Sequence, residues 1–441
     1  MDKALHETRY DHVAGAGRLT VRTVERQKTR MNVLFVHQNF PAQFKSLAPA
    51  LARRGHRVTA MTMRDIGQNP YHGVEIVRYK ASRGSTPNLA PSIQDLEAKI
   101  IRGEAAFHCG LTLRSAGFNP DVIIAHPGWG ESLFIKDVWP NAKIGIYCEF
   151  FYKSVGADVN FDPEFSAGDE RQPYRTRLKN LNNLAHFDFA DAGISPTLWQ
   201  ADTHPETFRH KISVIHDGID TSRARPDEAV TLSINQRIFL SRKDEIVTFV
   251  NRNLEPYRGY HIFMRALPEI LRRRPYARIM IVGGDGVSYG SAPPKGDERS
   301  WKQIFIDEVR GQIRDDDWKR VHFLGNIPYS NFLKLLQIST VHLYLTYPFV
   351  LSWSMLEAMS SGCAIIASNT APVQELIENG STGVLVDFFD VAGLIEATCT
   401  LLENKEERER LGQRARQRIL DRYDLDRVCL PKQINWVEDL G

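Results

Sequence analysis

The sequence reads as two successive doubly wound α/β domains. Three observations predict this. The chain has 441 residues, more than one ordinary hydrophobic core sustains. Short apolar runs alternate with stretches of helical spacing over residues 32–194, and a second series of the same kind begins at residue 245. The composition, 42% hydrophobic and 25% charged, is that of a globular protein.

The elements follow in order. Residues 32–37 (NVLFVH) form a short buried strand. Residues 43–54 place Phe44, Leu47 and Leu51 at helical spacing and stop at Gly55, and residues 56–62 alternate as a strand. The loop between the first strand and helix reads Gln38-Asn39-Phe40-Pro41-Ala42-Gln43. It lacks the glycine fingerprint that lets a backbone approach a dinucleotide pyrophosphate, so an NAD or FAD oxidoreductase is disfavoured. Strands are expected at 74–79, 121–126, 143–149 and 190–194, with helices near 93–113 and 131–138. Residues 211–216 are a strand, and Asp217-Gly218-Ile219-Asp220 is a turn. Residues 221–242 show no strong core pattern.

The second series has strands at 245–251, 277–282, 321–324, 341–346, 363–368 and 383–387. Helices lie between them, and a charged helix over 405–424 follows. Domains are expected at 31–210 and 211–424. A last amphipathic segment, about 425–441, packs back on the first domain, and residues 1–30 are a disordered extension. The two carboxyl-edge crevices then face each other across a cleft.

A net charge of +3 does not point to nucleic acid. Five scattered cysteines, at 109, 148, 363, 399 and 429, have no metal spacing and fit buried thiols in a reducing compartment. The longest uncharged run, 341–356, is broken by Pro348 and is shorter than the ~20 residues of a membrane helix. The expected location is cytoplasmic, with peripheral contact at the inner face of the cell membrane left open. Asp315-Asp316-Asp317 reads as helix capping, not as a metal site.

The stretch Tyr347 to Gly362 (YPFVLSWSMLEAMSSG) organises the chain. A strand enters it, Pro348 stops the strand, and Ser352 opens a helix. Its free N–H groups and positive dipole end suit a phosphate. Glu357 lies in that helix, where a carboxylate either accepts sugar hydroxyls or is simply solvated.

These pieces resemble the family 4 retaining glycosyltransferases, of GT-B fold. His216-Asp217-Gly218-Ile219-Asp220 resembles the family's interdomain N-G-V-D turn, and Arg252…Arg258-Gly259 its R-L-x-x-x-K-G. Val282-Gly283-Gly284-Asp285-Gly286 resembles I-G-x-G, and Phe323-Leu324-Gly325 resembles F-x-G. Leu356-Glu357-Ala358-Met359…Gly362 resembles the end of the Glu-x7-Glu signature. The resemblance implies that Arg252 and Arg258 clamp the donor diphosphate and that Glu357 holds the ribose. It puts Asn326 and Ile327 at the base, and the amides of Leu351, Ser352 and Trp353, with Gly284, at phosphate and sugar. It implies no metal and no cofactor, the nucleotide sugar being a substrate.

This chain departs from the family at three places. Phe349 stands where the first Glu of the signature belongs, Arg258 replaces the usual Lys with the spacing changed by one residue, and Glu149 replaces the usual His of the first domain. Glu149 orients the acceptor, stabilises charge on the sugar, or is a strand-end carboxylate paired with a cation. His126, at the end of the preceding strand, is a second catalytic or structural candidate. Gln43, Trp129 and Phe151, with Phe40, Phe150, Tyr152 and the acidic loop 158–164, fall at strand ends as acceptor candidates.

The expected function is retaining transfer of a sugar from a nucleoside-diphosphate donor to a saccharide or lipid-linked acceptor. By family analogy it serves bacterial surface polysaccharide or lipopolysaccharide assembly. The alternatives are a catalytically degenerate sugar-nucleotide binder and a transferase acting on a nucleic acid or small-molecule scaffold.

Overall fold

The computed structural model describes residues 30–166, 170–234 and 238–441; the expected extension lies, up to residue 29, outside them. The first domain is built on a seven-stranded parallel sheet, β1 (Asn32–Val36), β2 (Arg57–Thr62), β3 (Glu75–Arg78), β4 (Val122–Ala125), β5 (Lys143–Tyr147), β6 (Ala192–Ser195) and β7 (Ile212–Val214), in the order β3-β2-β1-β4-β5-β6-β7. Helices cover both faces, so the strands are near-continuous apolar runs: β1 and β4 are buried almost throughout.

β7 corrects the expected boundary. It pairs with β6, from Gly193 beside Ile212 to Ser195 beside Val214, so the first sheet extends past residue 210. Its few residues carry no signal of which sheet they join. The helix Gln172–Phe189, which sequence reading did not identify, buries Thr176, Asn180, Asn182, Asn183 and His186. A face of amides gives little hydrophobic periodicity.

A small antiparallel hairpin, β8 (Leu232–Ile234) and β9 (Ile238–Leu240), fills the region that lacked a pattern. The second domain has a six-stranded parallel sheet, β10 (Ile246–Asn253), β11 (Arg278–Gly284), β12 (Val321–Phe323), β13 (Val341–Tyr344), β14 (Ala364–Ser368) and β15 (Val384–Val386), ordered β12-β11-β10-β13-β14-β15. In both sheets the order reverses beside the first strand. The crevices at the carboxyl ends therefore open between β1 and β4 and between β10 and β13.

The chain crosses between domains twice, and the crossings are bonded to each other. Ile219 N–H donates to Tyr423 O at 2.8 Å, and Leu425 N–H to Ile219 O at 2.9 Å. After the second crossing the helix Leu430–Glu438 returns to the first domain. Its Leu430, Ile434, Trp436 and Val437 share a core cluster with Met31, Val33 and Phe35. Glu438 receives Arg54 at 2.8 Å and lies 3.1 Å from His56.

Residues 150–166 form a strap from the first domain across the second. Phe150 and Ala157 belong to the second domain's core cluster. Tyr257 donates to Asp158 at 2.7 Å and Tyr347 to Asp162 at 2.8 Å, while Arg265 forks onto Glu164 with two 2.7 Å bonds. The acidic loop expected to meet an acceptor is therefore largely spent on holding the domains together. Glu375 adds a further tie: its carboxylate accepts the backbone N–H groups of Leu198 and Trp199, both at 2.8 Å, at a helix N-terminus of the first domain.

Candidate active site

The switch point of the first sheet carries His37 after β1 and His126 after β4, their rings 5.2 Å apart. Nδ1 of His126 accepts the Gly128 N–H at 3.1 Å, which assigns the proton to Nε2. Nε2 lies 3.4 Å from Glu149 Oε2, and Gln43 donates to Glu149 Oε1, also at 3.4 Å. His126, Glu149 and Gln43, expected separately, thus form one group. Burial pushes the Glu149 carboxyl up. The His126 hydrogen bond, the Gln43 amide and the charge of Arg252 across the cleft outweigh this and hold it below the usual carboxylate range. His37, lowered to about 3 chiefly by burial, is neutral.

The second switch point carries the arginines. Arg258 leaves a short 3-10 turn, Pro256–Arg258, that ends at Gly259 (φ 69°), where a Cβ would clash with the Leu345 side chain. Only 5% exposed, Arg258 donates to Thr346 Oγ1 at 2.7 Å, Val350 O at 3.1 Å and Tyr344 Oη at 3.4 Å. Its guanidinium lies over the Tyr289 ring at 4.9 Å. Among the described residues no carboxylate lies within ion-pair distance of Arg258 or of Arg252. Arg252 is exposed, 6.0 Å from the same Tyr289 ring. A buried cation without an anion is expensive, so this pocket has the electrostatics of an anion site.

The signature helix is Trp353–Ser360 with Ser352 as its cap, and Glu357 sits buried inside it. Glu357 accepts the Tyr329 hydroxyl at 2.6 Å; burial raises its pKa and that bond opposes the rise. The Ser352 N–H, expected to meet a phosphate, donates instead to Tyr344 Oη at 2.9 Å. The Trp353 indole donates to Asp217 at 2.9 Å.

The glycine-rich loop is also already engaged. Glu255, fully buried, accepts the N–H groups of Ser288, Tyr289 and Gly290 at 3.1–3.3 Å, and Asn253 accepts that of Gly286 at 3.2 Å. At Gly284 a Cβ would come within 2.7 Å of Asn253 and 3.2 Å of Asn326, so the backbone packs closely there. Asn326 is exposed at the rim, and Ile327 packs partly buried against the cluster of Leu240, Val282 and Leu335.

Two acceptor expectations change. Phe151 faces away from the cleft, its ring on Phe187 and His204. Phe40 is fully buried in the first core. Trp129 stays 41% exposed beside the His126 loop. Phe349, at the position of the missing Glu, sits between Phe150 of the first domain (4.8 Å) and Tyr257 and Tyr289 of the second (both 5.2 Å). It closes the seam between domains with aromatic packing. Phe349→Ala is expected to destabilise the protein by about 3–4 kcal/mol, read from its urea midpoint.

Family models match both halves of the chain. One described as glycosyl transferase family 4 group covers residues 54–224, and one described as glycosyl transferases group 1 covers residues 233–418. The chain joins two domains of glycosyltransferase type. The chain is 25% identical over 213 residues to the D-inositol 3-phosphate glycosyltransferase of Corynebacterium efficiens, covering 48% of this chain and 47% of that protein. It spans about half the length of that relative and 52% of the Nocardia farcinica protein of the same name. It is 26% identical over 410 residues to a Mycobacterium tuberculosis glycogen synthase, covering 87% of each. Among solved structures, sucrose-phosphate synthase from Thermosynechococcus elongatus superposes with a TM-score of 0.69 at 18% identity, over 92% of this chain and 98% of that one. Anabaena HepE, solved with UDP and glucose, superposes at 0.61 and 16% identity, over 93% and 99%. These superpositions show the GT-B fold of the chain.

Asp217 is a residue that sequence reading placed only in a turn. Tyr147 of the first domain donates to both its oxygens at 3.0 Å, and Trp353 of the second donates to one. Burial lifts its pKa to about 6 against the pull of those donors. An acid raised in the fold favours the proton-bound native state. That stabilisation is full below the ordinary value near 3.8 and is lost as pH rises through about 6. The urea midpoint of the wild type is therefore expected to fall more between pH 4 and 6 than that of Asp217→Asn, which has no proton to lose and keeps one acceptor oxygen for Tyr147 and Trp353.

Proposed function

We propose that the protein transfers a sugar, with retention of anomeric configuration, from a nucleoside-diphosphate donor to a hydroxyl of a saccharide or lipid-linked acceptor. The observation that carries this is the pair Arg252 and Arg258 at the second switch point, with no carboxylate within ion-pair distance among the described residues, and opposite Glu149 and His126. When the bond from the anomeric carbon to the β-phosphate oxygen breaks, charge accumulates on the departing diphosphate, and two fixed guanidinium groups stabilise it. They supply the charge a divalent ion supplies in other transferases, so the reaction is proposed to be metal-independent.

Glu357 with Tyr329 takes the ribose hydroxyls. Asn326 and Ile327 flank the base, and Gly284 with Leu351 lets the diphosphate approach the backbone. Glu149, held by His126 and Gln43, faces the anomeric centre, where it orients the acceptor hydroxyl and offsets positive charge on the sugar. Trp129 offers an exposed ring to the acceptor. Retention, and a place in surface polysaccharide or lipopolysaccharide assembly, rest on the family resemblance.

Uridine nucleotides are the first donors to test, because the solved HepE complexes hold UDP and UDP-glucose. A thermal-shift panel of UDP, GDP, ADP, dTDP and their sugars is expected to give one series that raises Tm, unchanged by EDTA. No shift with any nucleotide would overturn the reading. Phe349 in its aromatic cluster favours one competing reading, a nucleotide-sugar binder without transfer. Binding without hydrolysis or transfer of the donor would support that instead.

A further inference from the structure

A cavity of about 310 Å³ opens between the strap and the second domain, to one side of the proposed diphosphate position. It falls at the lower end of small-molecule sites, about 300–1,000 Å³. Its walls include the aromatic rings of Phe161, Tyr257, Tyr289 and Trp301. Asp158, Asn160, Asp162, Gln172 and Arg175 are among its polar lining, two carboxylates against one guanidinium, and Asn160 has a left-handed backbone (φ 56°). Asp158 uses one oxygen for Tyr257, while its other oxygen, Oδ1, is buried and has no hydrogen-bond partner. Tyr289 is a shared wall: one region of it lines the cavity, and its ring carries Arg258 and Arg252. Ring faces suit the apolar C–H faces of a sugar, and an unused carboxylate oxygen suits a hydroxyl donor and repels an anion.

We infer that this cavity binds a neutral sugar unit of the acceptor, with Asp158 Oδ1 accepting one of its hydroxyls. The inference rests on the transferase reading for its role and on the cavity for its chemistry.

The test uses the full chain and ligand-observed saturation-transfer NMR with maltose, cellobiose, lactose and methyl α-mannoside, and glucuronic acid as the anionic control. At least one neutral sugar is expected to bind at millimolar concentration and to outcompete glucuronic acid. Asp158→Asn, which keeps the Tyr257 bond, is expected to weaken it about tenfold. Asn160→Ala, at an exposed position, weakens it in the same direction. Binding of none of the four sugars, or binding unchanged in both variants, overturns the inference. The nucleotide thermal shift is run on the same three proteins. If it persists while sugar binding is absent, the cavity assignment alone fails. If sugar binding behaves as expected and no nucleotide shift is seen, the cavity stands and the transferase reading fails.

Discussion

Arg258→Met is expected to lower kcat/KM by about 10²–10³-fold and to abolish the nucleotide-induced rise in Tm, while leaving the Tm of the free protein within a few degrees. These outcomes separate a functional cation from a structural one. The guanidinium is buried, yet its hydrogen-bond partners are a hydroxyl, a phenol and a carbonyl; among the described residues no carboxylate pairs with it directly, and Glu255 feels its charge only from beyond ion-pair distance. Two of those partners keep other bonds when it leaves. Thr346 still donates to Tyr347 O at 2.9 Å, and the Tyr344 hydroxyl still accepts the Ser352 N–H. Methionine fills much of the space without a desolvated charge, and such exchanges are often neutral or stabilising. A large loss of stability with binding retained would show that Arg258 is a packing element and would remove the diphosphate assignment.

Glu149→Gln is expected to lower kcat by about 10²–10³-fold with the donor-induced Tm shift retained. The carboxylate faces two donors, His126 Nε2 and Gln43 Nε2, and its charge is felt by Arg252. Glutamine keeps the size but removes the charge and turns one donor toward another. Gln43→Ala, which removes a single 3.4 Å contact, is expected to cost about tenfold or less. Unchanged turnover in Glu149→Gln would place the catalytic carboxylate elsewhere.

The α/β architecture was legible because buried parallel strands are mostly apolar runs: β1 and β4 are nearly so throughout, while β10 and β13 keep the pattern around a single buried Thr248 and His342 before β10 turns polar at Asn251. The arginines and Glu357 were legible as motif residues at the ends of such runs. What was not legible depends on pairing across the chain. β7 joins the first sheet through three residues. Asp217 becomes a bridge only when Tyr147 and Trp353 arrive from different domains. The helix after the strap is stabilised by buried amides, which look like a surface in sequence. Ser352 carries an N-cap signal that the fold uses, yet its N–H is satisfied by Tyr344, a tertiary partner no local pattern announces.

The return of the helix Leu430–Glu438 to the first strand sets an order of events on the ribosome. Met31, Val33 and Phe35 emerge before the second domain, but the residues that complete their cluster, Leu430 to Val437, emerge after it. The first domain waits with an open apolar face while the whole second domain is made. Loss of the helix Leu430–Glu438 therefore injures the domain that was made earlier.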